Sequence, residues 1–245
     1  MEPSLLSVAE VDGRQLLAAA EIDWSHPVPH CPGWDSAGLV RHTGEIFMWM
    51  AAVVTSGDRV SRRTLAAPPE TLDALGPWYL ASLDRVLAVL GSIDPDQLTW
   101  TFSSTGDQRA GWWCRRLAVE VAIHRWDVEH AIGTDGLTAP GPVDGTVAAA
   151  GIEEFVIEFL PGLVAQEGVE GVGGTLCLLA TDGPVGWRID LDRGGQAAPE
   201  HDQADITVRG TRSDLLLWLT NRGPLPALEI IGDPSVAEAW YQLRR

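Results

Sequence analysis

The sequence predicts an α+β protein in which a four-helix bundle is followed by a small α/β domain with an antiparallel sheet. In the first half of the chain apolar residues recur at helical spacing, whereas the second half contains short β-rich runs bounded by Gly and Asp. Between them, residues 133–145 (GTDGLTAPGPVDG) are rich in Gly and Pro, which is typical of a linker. We therefore expect a bundle over residues 1–134 and a second domain over residues 145–245, joined by a linker at 135–144.

The first two helices follow from apolar spacing and capping residues. Residues 4–20 carry leucine, valine and alanine at roughly helical spacing. After a loop rich in proline and histidine, Asp35 or Ser36 can cap a second helix that runs to about Thr55.

The third and fourth helices complete the bundle. The third is expected to begin at Pro69 and to end near Gly91, with an interruption or a late start at Pro77, because proline lacks the amide that a helix interior needs. The fourth is predicted over about 112–132 and stops at Gly133. Four helices of this length, joined antiparallel or by a crossover, make a bundle.

The second half combines helices with short strands. One more helix is expected at about 144–165, followed by three runs that read as strands of hairpin type: GGTLCLLATD, GWRIDLD and ADITVRG. The segment TRSDLLLWLTNRG has a Thr or Ser N-cap and a terminal Gly, so it is predicted to be a helix. ALEIIGD is expected to be a last strand, and PSVAEAWYQLRR a last helix that starts with proline.

Composition excludes several classes of partner. The formal net charge is −17, so the surface repels phosphate backbones and nucleic-acid binding is disfavoured. No run approaches the ~18 apolar residues that span a bilayer, and the first residues lack the basic start of a signal peptide. Cys31, Cys114 and Cys177 are too widely spaced for a disulfide framework or a paired-cysteine metal clip. A reduced, cytoplasmic protein is therefore expected, as a monomer or a weak homodimer.

A candidate metal site lies in the fourth helix, in the stretch EVAIHRWD (120–127). Glu120 and His124 are four residues apart, which puts both side chains on one helix face. His42 lies in the middle of the second helix, and a bundle can bring it alongside. Two histidines and a glutamate form a ligand set of the catalytic zinc type, with a fourth position open. Spacing alone leaves an ordinary amphipathic helix with a hydrogen-bonded histidine as the alternative.

The surroundings of Glu120 favour a role for its charge. The residue stands between LAV and VAI, in an otherwise apolar segment. A buried carboxylate there costs several kcal/mol unless it is paired or bound to a metal. A metal ion would meet that cost, and so would Arg115 or Arg116.

Two stretches carry a family resemblance. VPHCPGWDSAGLVRHTGEI (28–46) followed by LAVEVAIHRWDVEHAIG (117–133) resembles the mycothiol-dependent maleylpyruvate isomerase family, over nearly the whole chain and in order. The resemblance implies a DinB-like four-helix bundle joined to a smaller α/β domain. It also implies a divalent metal, usually zinc, bound by His42, Glu120 and His124.

The resemblance further implies the chemistry. The thiol partner would be mycothiol, and a metal-activated thiolate would add to a small electrophile such as maleylpyruvate. Rotation and elimination would give cis–trans isomerisation, whereas release of the adduct would make the protein an S-transferase. An arginine that matches Arg222 would hold a substrate carboxylate. A binding protein for a small apolar ligand, without turnover, is the alternative of another class.

Other residues near these motifs have supporting roles in this hypothesis. Arg125 and Asp127 are candidates for steadying His124, with a plain salt bridge as the alternative. Trp34 and Trp49 could line the pocket, although most of the eleven tryptophans are expected to be core. Cys31 is interpreted as structural, since no activating base is identifiable beside it.

Overall fold

The computed structural model describes residues 4–133, 139–165, 174–183, 186–190, 196–197, 204–222 and 227–236. The chain divides into two compact units, Met1–Val143 and Asp144–Arg245.

The first unit contains the four predicted helices. They are α1 (Leu5–Ala20), α2 (Ser36–Ser56), α3 (Leu72–Ser92) and α4 (Ala110–Gly133), with a short 3-10 helix at Arg62–Thr64. Asp35 caps α2 by accepting a hydrogen bond from the backbone N–H of Gly38, and the chain leaves α2 through Gly57 at φ 76°. Helix α1 packs mainly on α4, and α2 packs mainly on α3 while also contacting α4.

Helix α3 differs from the prediction at its start. It begins at Leu72 rather than Pro69, and it continues through Pro77 without interruption. The guanidinium of Arg41 donates hydrogen bonds to the carbonyls of Pro69 and Glu70, at 3.4 and 3.2 Å, which holds that segment outside the helix. Pro77 lies only in the second turn, so the helix loses a single hydrogen bond there.

Close packing of α2 on α3 depends on Gly44. A Cβ atom at this position would overlap the indole ring of Trp78, so only glycine allows that ring to lie against the helix backbone. Gly91, near the end of α3, has no atom within 4 Å of where its Cβ would be. The two glycines are therefore a matched pair, one closely packed and one open.

We expect Gly44→Leu to destabilise the first unit, whereas Gly91→Leu should not. Overpacking at Gly44 should cost roughly 2–3 kcal/mol, which exceeds the ~1 kcal/mol that leucine gains over glycine in helix propensity. Gly91→Leu should be neutral or slightly stabilising. Urea unfolding of both variants measures the difference, and equal midpoints would contradict the packing argument.

The concentration of tryptophan in the first half is explained largely by the core. Trp49, Trp100 and Trp113 pack against one another, with Trp49 and Trp113 edge to face at 5.2 Å. Two of the indole N–H groups donate to carbonyls: that of Trp49 to Val60, and that of Trp113 to Trp100.

The second unit begins with a helical segment that matches the predicted 144–165. Helix α5 (Gly145–Glu154) runs into a π-helical turn (Phe155–Phe159) and then into α6 (Leu160–Val164). Asp144 caps α5 by accepting from the backbone N–H groups of Thr146 and Val147.

A five-stranded sheet follows, in the order β3-β2-β1-β4-β5. Its strands are β1 (Thr175–Ala180), β2 (Gly186–Asp190), β3 (Gln196–Ala197), β4 (Ile206–Gly210) and β5 (Glu229–Gly232). Helix α7 (Arg212–Leu219) starts directly after β4 and is capped by Thr211. The α+β class and the predicted strands are confirmed, and the two-residue β3 was not predicted.

The sheet is mixed rather than wholly antiparallel. β1 pairs antiparallel with β2 as a hairpin, but it pairs parallel with β4, with Leu176 opposite Ile206. Short apolar runs predict strands, but they do not say which strands are neighbours in the sheet. After a long connection, β4 pairs with the edge of β1 that β2 leaves free, and such a connection allows the parallel direction. The predicted last helix, from Pro234, falls mainly outside the described residues. Over the described part of the chain, no helix has both the length and the apolar character required to cross a membrane.

Candidate metal centre

The structure brings together the three residues that the sequence proposed as ligands. His42 lies on α2, and Glu120 and His124 lie on successive turns of α4. The Nε2 atoms of His42 and His124 are 3.3 and 3.4 Å from the same oxygen, Oε1 of Glu120. One donor atom from each residue lies within 4.8 Å of the other two. The two imidazole rings stand nearly perpendicular, at 86°.

The position of this cluster follows from how α4 is buried. Residues 117–122 are all buried, so Glu120 is held inside the bundle and is only 7% exposed. The side chains of His42 and His124 are partly accessible, at 26% and 13%. The cluster therefore has an interior carboxylate and two histidines that reach toward solvent.

The two carboxylate oxygens of Glu120 have different partners. Its Oε2 forms an ion pair with Arg116, one turn earlier on α4, while its Oε1 faces both histidines. Burial by itself would raise the pKa of Glu120, but Arg116 and hydrogen bonds to the histidines lower that pKa well below its ordinary value. Glu120 is thus ionised, and Oε1 is the oxygen directed at the cluster.

Asp127 orients His124 through the Nδ1 atom, on the side of the ring that faces away from Glu120. Its Oδ2 is 3.0 Å from Nδ1 of His124, and the Asp127 side chain is fully buried. Burial opposes protonation of His124, yet hydrogen bonds with Asp127, Cys31 and Glu120 raise its pKa well above the ordinary value. Because Asp127 binds Nδ1 of His124, the Nε2 atom of the same ring points toward Glu120. Histidines that bind metals are commonly oriented in this way by a carboxylate on the other ring nitrogen.

Cys31 is a neighbour of the site that the sequence did not reveal. Its Sγ donates to Oδ2 of Asp127 at 3.6 Å, and Cys31, His124 and Asp127 form a second group of converging donor atoms. Cys31 is 96 residues from Asp127. The only sequence signal was its place in the CPGW stretch of the loop before α2.

The two tryptophans named from the sequence have different positions. Trp34 is 38% exposed, and its ring lies 4.6 Å from the ring of His42, so it forms a wall beside the cluster. Trp49 is 8% exposed and belongs to the aromatic core, although Arg62 stacks on its ring at 4.5 Å. Trp126 is buried and stacks on His130.

Arg125 is adjacent to His124 in sequence but has a separate set of partners. Its guanidinium forms ion pairs with Asp12 on α1 at 3.1 Å and with Glu129 at 2.5 Å. It also donates to the carbonyls of Gly141 and Pro142, at 3.1 and 2.8 Å. These contacts tie the segment that leaves the bundle to α4 and α1.

Arg222 lies in the second unit, directly after α7. Its backbone N–H donates to the carbonyl of Leu217, and its Nη1 donates to the carbonyl of Thr220 at 2.6 Å. The preceding Asn221 has φ 66°, a left-handed conformation that ends the helix. The catalytic role of Arg222 stays a prediction.

The donor set fits a divalent metal. Two imidazole nitrogens and one carboxylate oxygen, with Nδ1 of His124 already supported by Asp127, are the ligand types and the supporting contact found at catalytic zinc sites. Because Arg116 is paired with Oε2 of Glu120, this carboxylate can bind a metal ion through Oε1 only.

Comparison with known proteins identifies the family and the fold. Residues 7–129 match the family model "Mycothiol maleylpyruvate isomerase N-terminal domain", and residues 146–239 match "MDMPI C-terminal domain". Among solved structures, the chain is similar to a mycothiol-dependent maleylpyruvate isomerase (14% identity, TM-score 0.59) and to a histidine-to-alanine mutant of that enzyme (14%, TM-score 0.60). Both alignments cover 92% of this chain and 91% of the other. No curated protein shows a significant match to the sequence.

Proposed function

The chain belongs to the mycothiol-dependent maleylpyruvate isomerase family, and from this premise we propose that it is a mycothiol-dependent isomerase of maleylpyruvate-like electrophiles. We propose that His42, Glu120 and His124 hold a divalent metal, with zinc as the best fit. The observation that carries this proposal is the convergence of two Nε2 atoms on Oε1 of Glu120, at 3.3 and 3.4 Å.

Each residue of the cluster has a definite task in this proposal. A bound divalent ion would supply a positive charge that favours the thiolate over the thiol. Arg116 keeps Glu120 ionised and its Oε2 occupied, and Asp127 keeps Nε2 of His124 directed at the cluster. Trp34 lies against one side of His42.

The reaction needs no net redox change. The thiol loses a proton, its sulfur adds to one carbon of the cis double bond, and the electron pair moves onto the neighbouring carbonyl oxygen. Rotation about the resulting single bond and expulsion of the thiolate restore the double bond in the trans form. Arg222 is proposed to hold a carboxylate of the substrate during these steps.

Metal analysis and product analysis together test the proposal. Purified protein should contain about one divalent ion per chain, and His42→Ala should lose it whereas His26→Ala, a histidine outside the cluster, should not. With mycothiol and maleylpyruvate, mass spectrometry should show a product of unchanged mass, and proton NMR should show the larger vicinal coupling of a trans double bond. A stable thiol adduct would instead indicate an S-transferase. Metal-free protein that binds ligand without turnover would overturn the enzyme proposal.

A further inference from the structure

A second group of three donor atoms shares His124 with the metal cluster. Oδ2 of Asp127 is 3.6 Å from Sγ of Cys31 and 3.0 Å from Nδ1 of His124, and the three atoms lie within 4.8 Å of one another. This group resembles the metal cluster, where Oε1 of Glu120 lies between two Nε2 atoms. The ring of His124 therefore presents Nε2 to one set of ligands and Nδ1 to the other.

The spacing of these atoms suits a single tetrahedral ion. Zinc binds sulfur at about 2.3 Å and nitrogen or oxygen at about 2.0–2.2 Å, so a sulfur and an oxygen ligand lie roughly 3.5 Å apart and a nitrogen and an oxygen ligand roughly 3.4 Å apart. The observed separations are 3.6 Å for sulfur and oxygen and 3.0 Å for nitrogen and oxygen. The thiol is thus at ligand distance already, and the imidazole has to move away from the carboxylate by only a few tenths of an ångström.

Burial gives the group one interior ligand and two ligands that solvent can reach. Asp127 is fully buried, whereas Cys31 and the His124 side chain are partly exposed. A buried carboxylate stabilises a cation more strongly than an exposed one, because water does not screen its charge. The thiol adds a soft ligand, which the metal cluster lacks, and soft ligands favour thiophilic ions over magnesium or calcium.

We propose that Cys31, Asp127 and Nδ1 of His124 form a second metal site, which takes a thiophilic divalent ion such as cadmium or excess zinc. The ion binds as the S–H proton of Cys31 and the Nδ1–H proton of His124 are released to solvent. It replaces the hydrogen bond between Asp127 and His124 that supports the metal cluster. Excess thiophilic metal would therefore weaken the first site through the shared ring. This second site goes beyond the proposed function, and its binding does not depend on isomerase activity.

Cadmium titration of His42→Ala protein tests this site directly. That substitution removes one ligand of the metal cluster and none of the second group, and a chelator first strips the protein of metal. Thiolate bound to cadmium absorbs in the ultraviolet, so this band should rise and saturate at about one cadmium ion per chain. Adding Cys31→Ser should abolish the band, whereas adding Cys114→Ser or Cys177→Ser should leave it unchanged. Absence of a saturable band from the His42→Ala protein would overturn the site.

Asp127→Asn in the same background separates a three-ligand site from a lone reactive thiol. Loss of the carboxylate should weaken cadmium binding more than about tenfold, because even a supporting partner typically contributes about 10–100-fold to metal affinity. Cadmium NMR of the His42→Ala complex reports the ligand types without a further substitution, and its chemical shift should indicate one sulfur with nitrogen and oxygen ligands. The site would be overturned by a band that persists in Cys31→Ser, by unchanged affinity in Asp127→Asn, or by a chemical shift typical of oxygen ligands alone.

The same absorption band measures the link between the two sites. In wild-type protein that holds one zinc ion, Nε2 of His124 is occupied, so cadmium at Nδ1 would take the last proton from the ring. Cadmium should therefore bind zinc-loaded wild type at least about fivefold more weakly than metal-free His42→Ala. Equal affinities would overturn the sharing of His124 between the two sites. Failure of the wild type to hold zinc would count against the proposed function alone, because the titration of His42→Ala does not use that ion.

Discussion

Glu120→Gln is expected to abolish stoichiometric zinc binding. Glutamine keeps the size of the side chain but removes the charge, so Oε1 no longer attracts a cation between the two Nε2 atoms. We expect zinc affinity to fall by more than 100-fold, since loss of a supporting partner alone typically costs 10–100-fold. Asp127→Asn, which changes only the partner of His124, should fall in that smaller range. Competition titration with a chromogenic chelator measures the zinc affinity of both variants. Equal losses of affinity would contradict the assignment of Glu120 as a metal ligand and of Asp127 as a support for His124.

The same substitution should lower the stability of the metal-free protein. Arg116 would lose the anion that balances it in a pair whose side chains are 16% and 9% exposed, at a cost of about 2–3 kcal/mol. The pKa of Glu120 is lowered in the folded state, so its contribution is present above the ordinary value of 4.5 and is lost as the pH falls. Urea unfolding at pH 7 and pH 4 should therefore show a larger difference between the variants at pH 7. A stability difference that is the same at both pH values would contradict the ion pair between Glu120 and Arg116.

Local periodicity explains why the bundle and two of the three proposed ligands could be predicted. The four helices have apolar faces, α1 and α2 are also capped by Ser4 and Asp35, and the observed bounds differ from the predicted ones by only a few residues. Glu120 and His124 share a face because α4 is regular. The same spacing argument selects Arg116 over Arg115 as the partner of Glu120. Arg116 is four residues, or about one helical turn, before Glu120, whereas Arg115 is five residues before it and lies on another face. His42 was a candidate because a bundle can bring α2 alongside α4, but helix spacing does not say which helices touch, and the family resemblance was needed to favour it as the third ligand.

Contacts between distant segments account for what the sequence could not show. Cys31 reaches Asp127 across 96 residues, and no local pattern encodes that approach. β4 lies parallel to β1 because the free edge of β1 receives it, which is a property of the whole sheet. The start of α3 is displaced from Pro69 by hydrogen bonds from Arg41, whose side chain comes from another helix.

Arg125→Met is expected to destabilise the first unit strongly while leaving the metal site intact. The guanidinium is 3% exposed and balances Asp12 and Glu129, so methionine would leave two carboxylates without their cation. Removing one partner of a buried ion pair typically costs about 3–5 kcal/mol. The hydrogen bonds to the carbonyls of Gly141 and Pro142 would be lost as well. Urea unfolding measures the effect, and Arg85→Met, at an exposed site, should stay within about 0.5 kcal/mol of the wild type.

Two further measurements decide what Arg125 does. If stranded carboxylates cause the loss, Asp12→Asn should cost less in the Arg125→Met background than in the wild type, with a coupling of about 1–3 kcal/mol in a double-mutant cycle. Zinc affinity of the folded Arg125→Met protein should match that of the wild type, because the partners of Arg125 are Asp12, Glu129 and the segment at 141–142 rather than His124. A tenfold loss of zinc affinity with unchanged stability would assign Arg125 to the support of His124. The side chain beside the ligand in sequence is thus expected to hold the bundle together, and Asp127, three residues after His124, to hold the ligand.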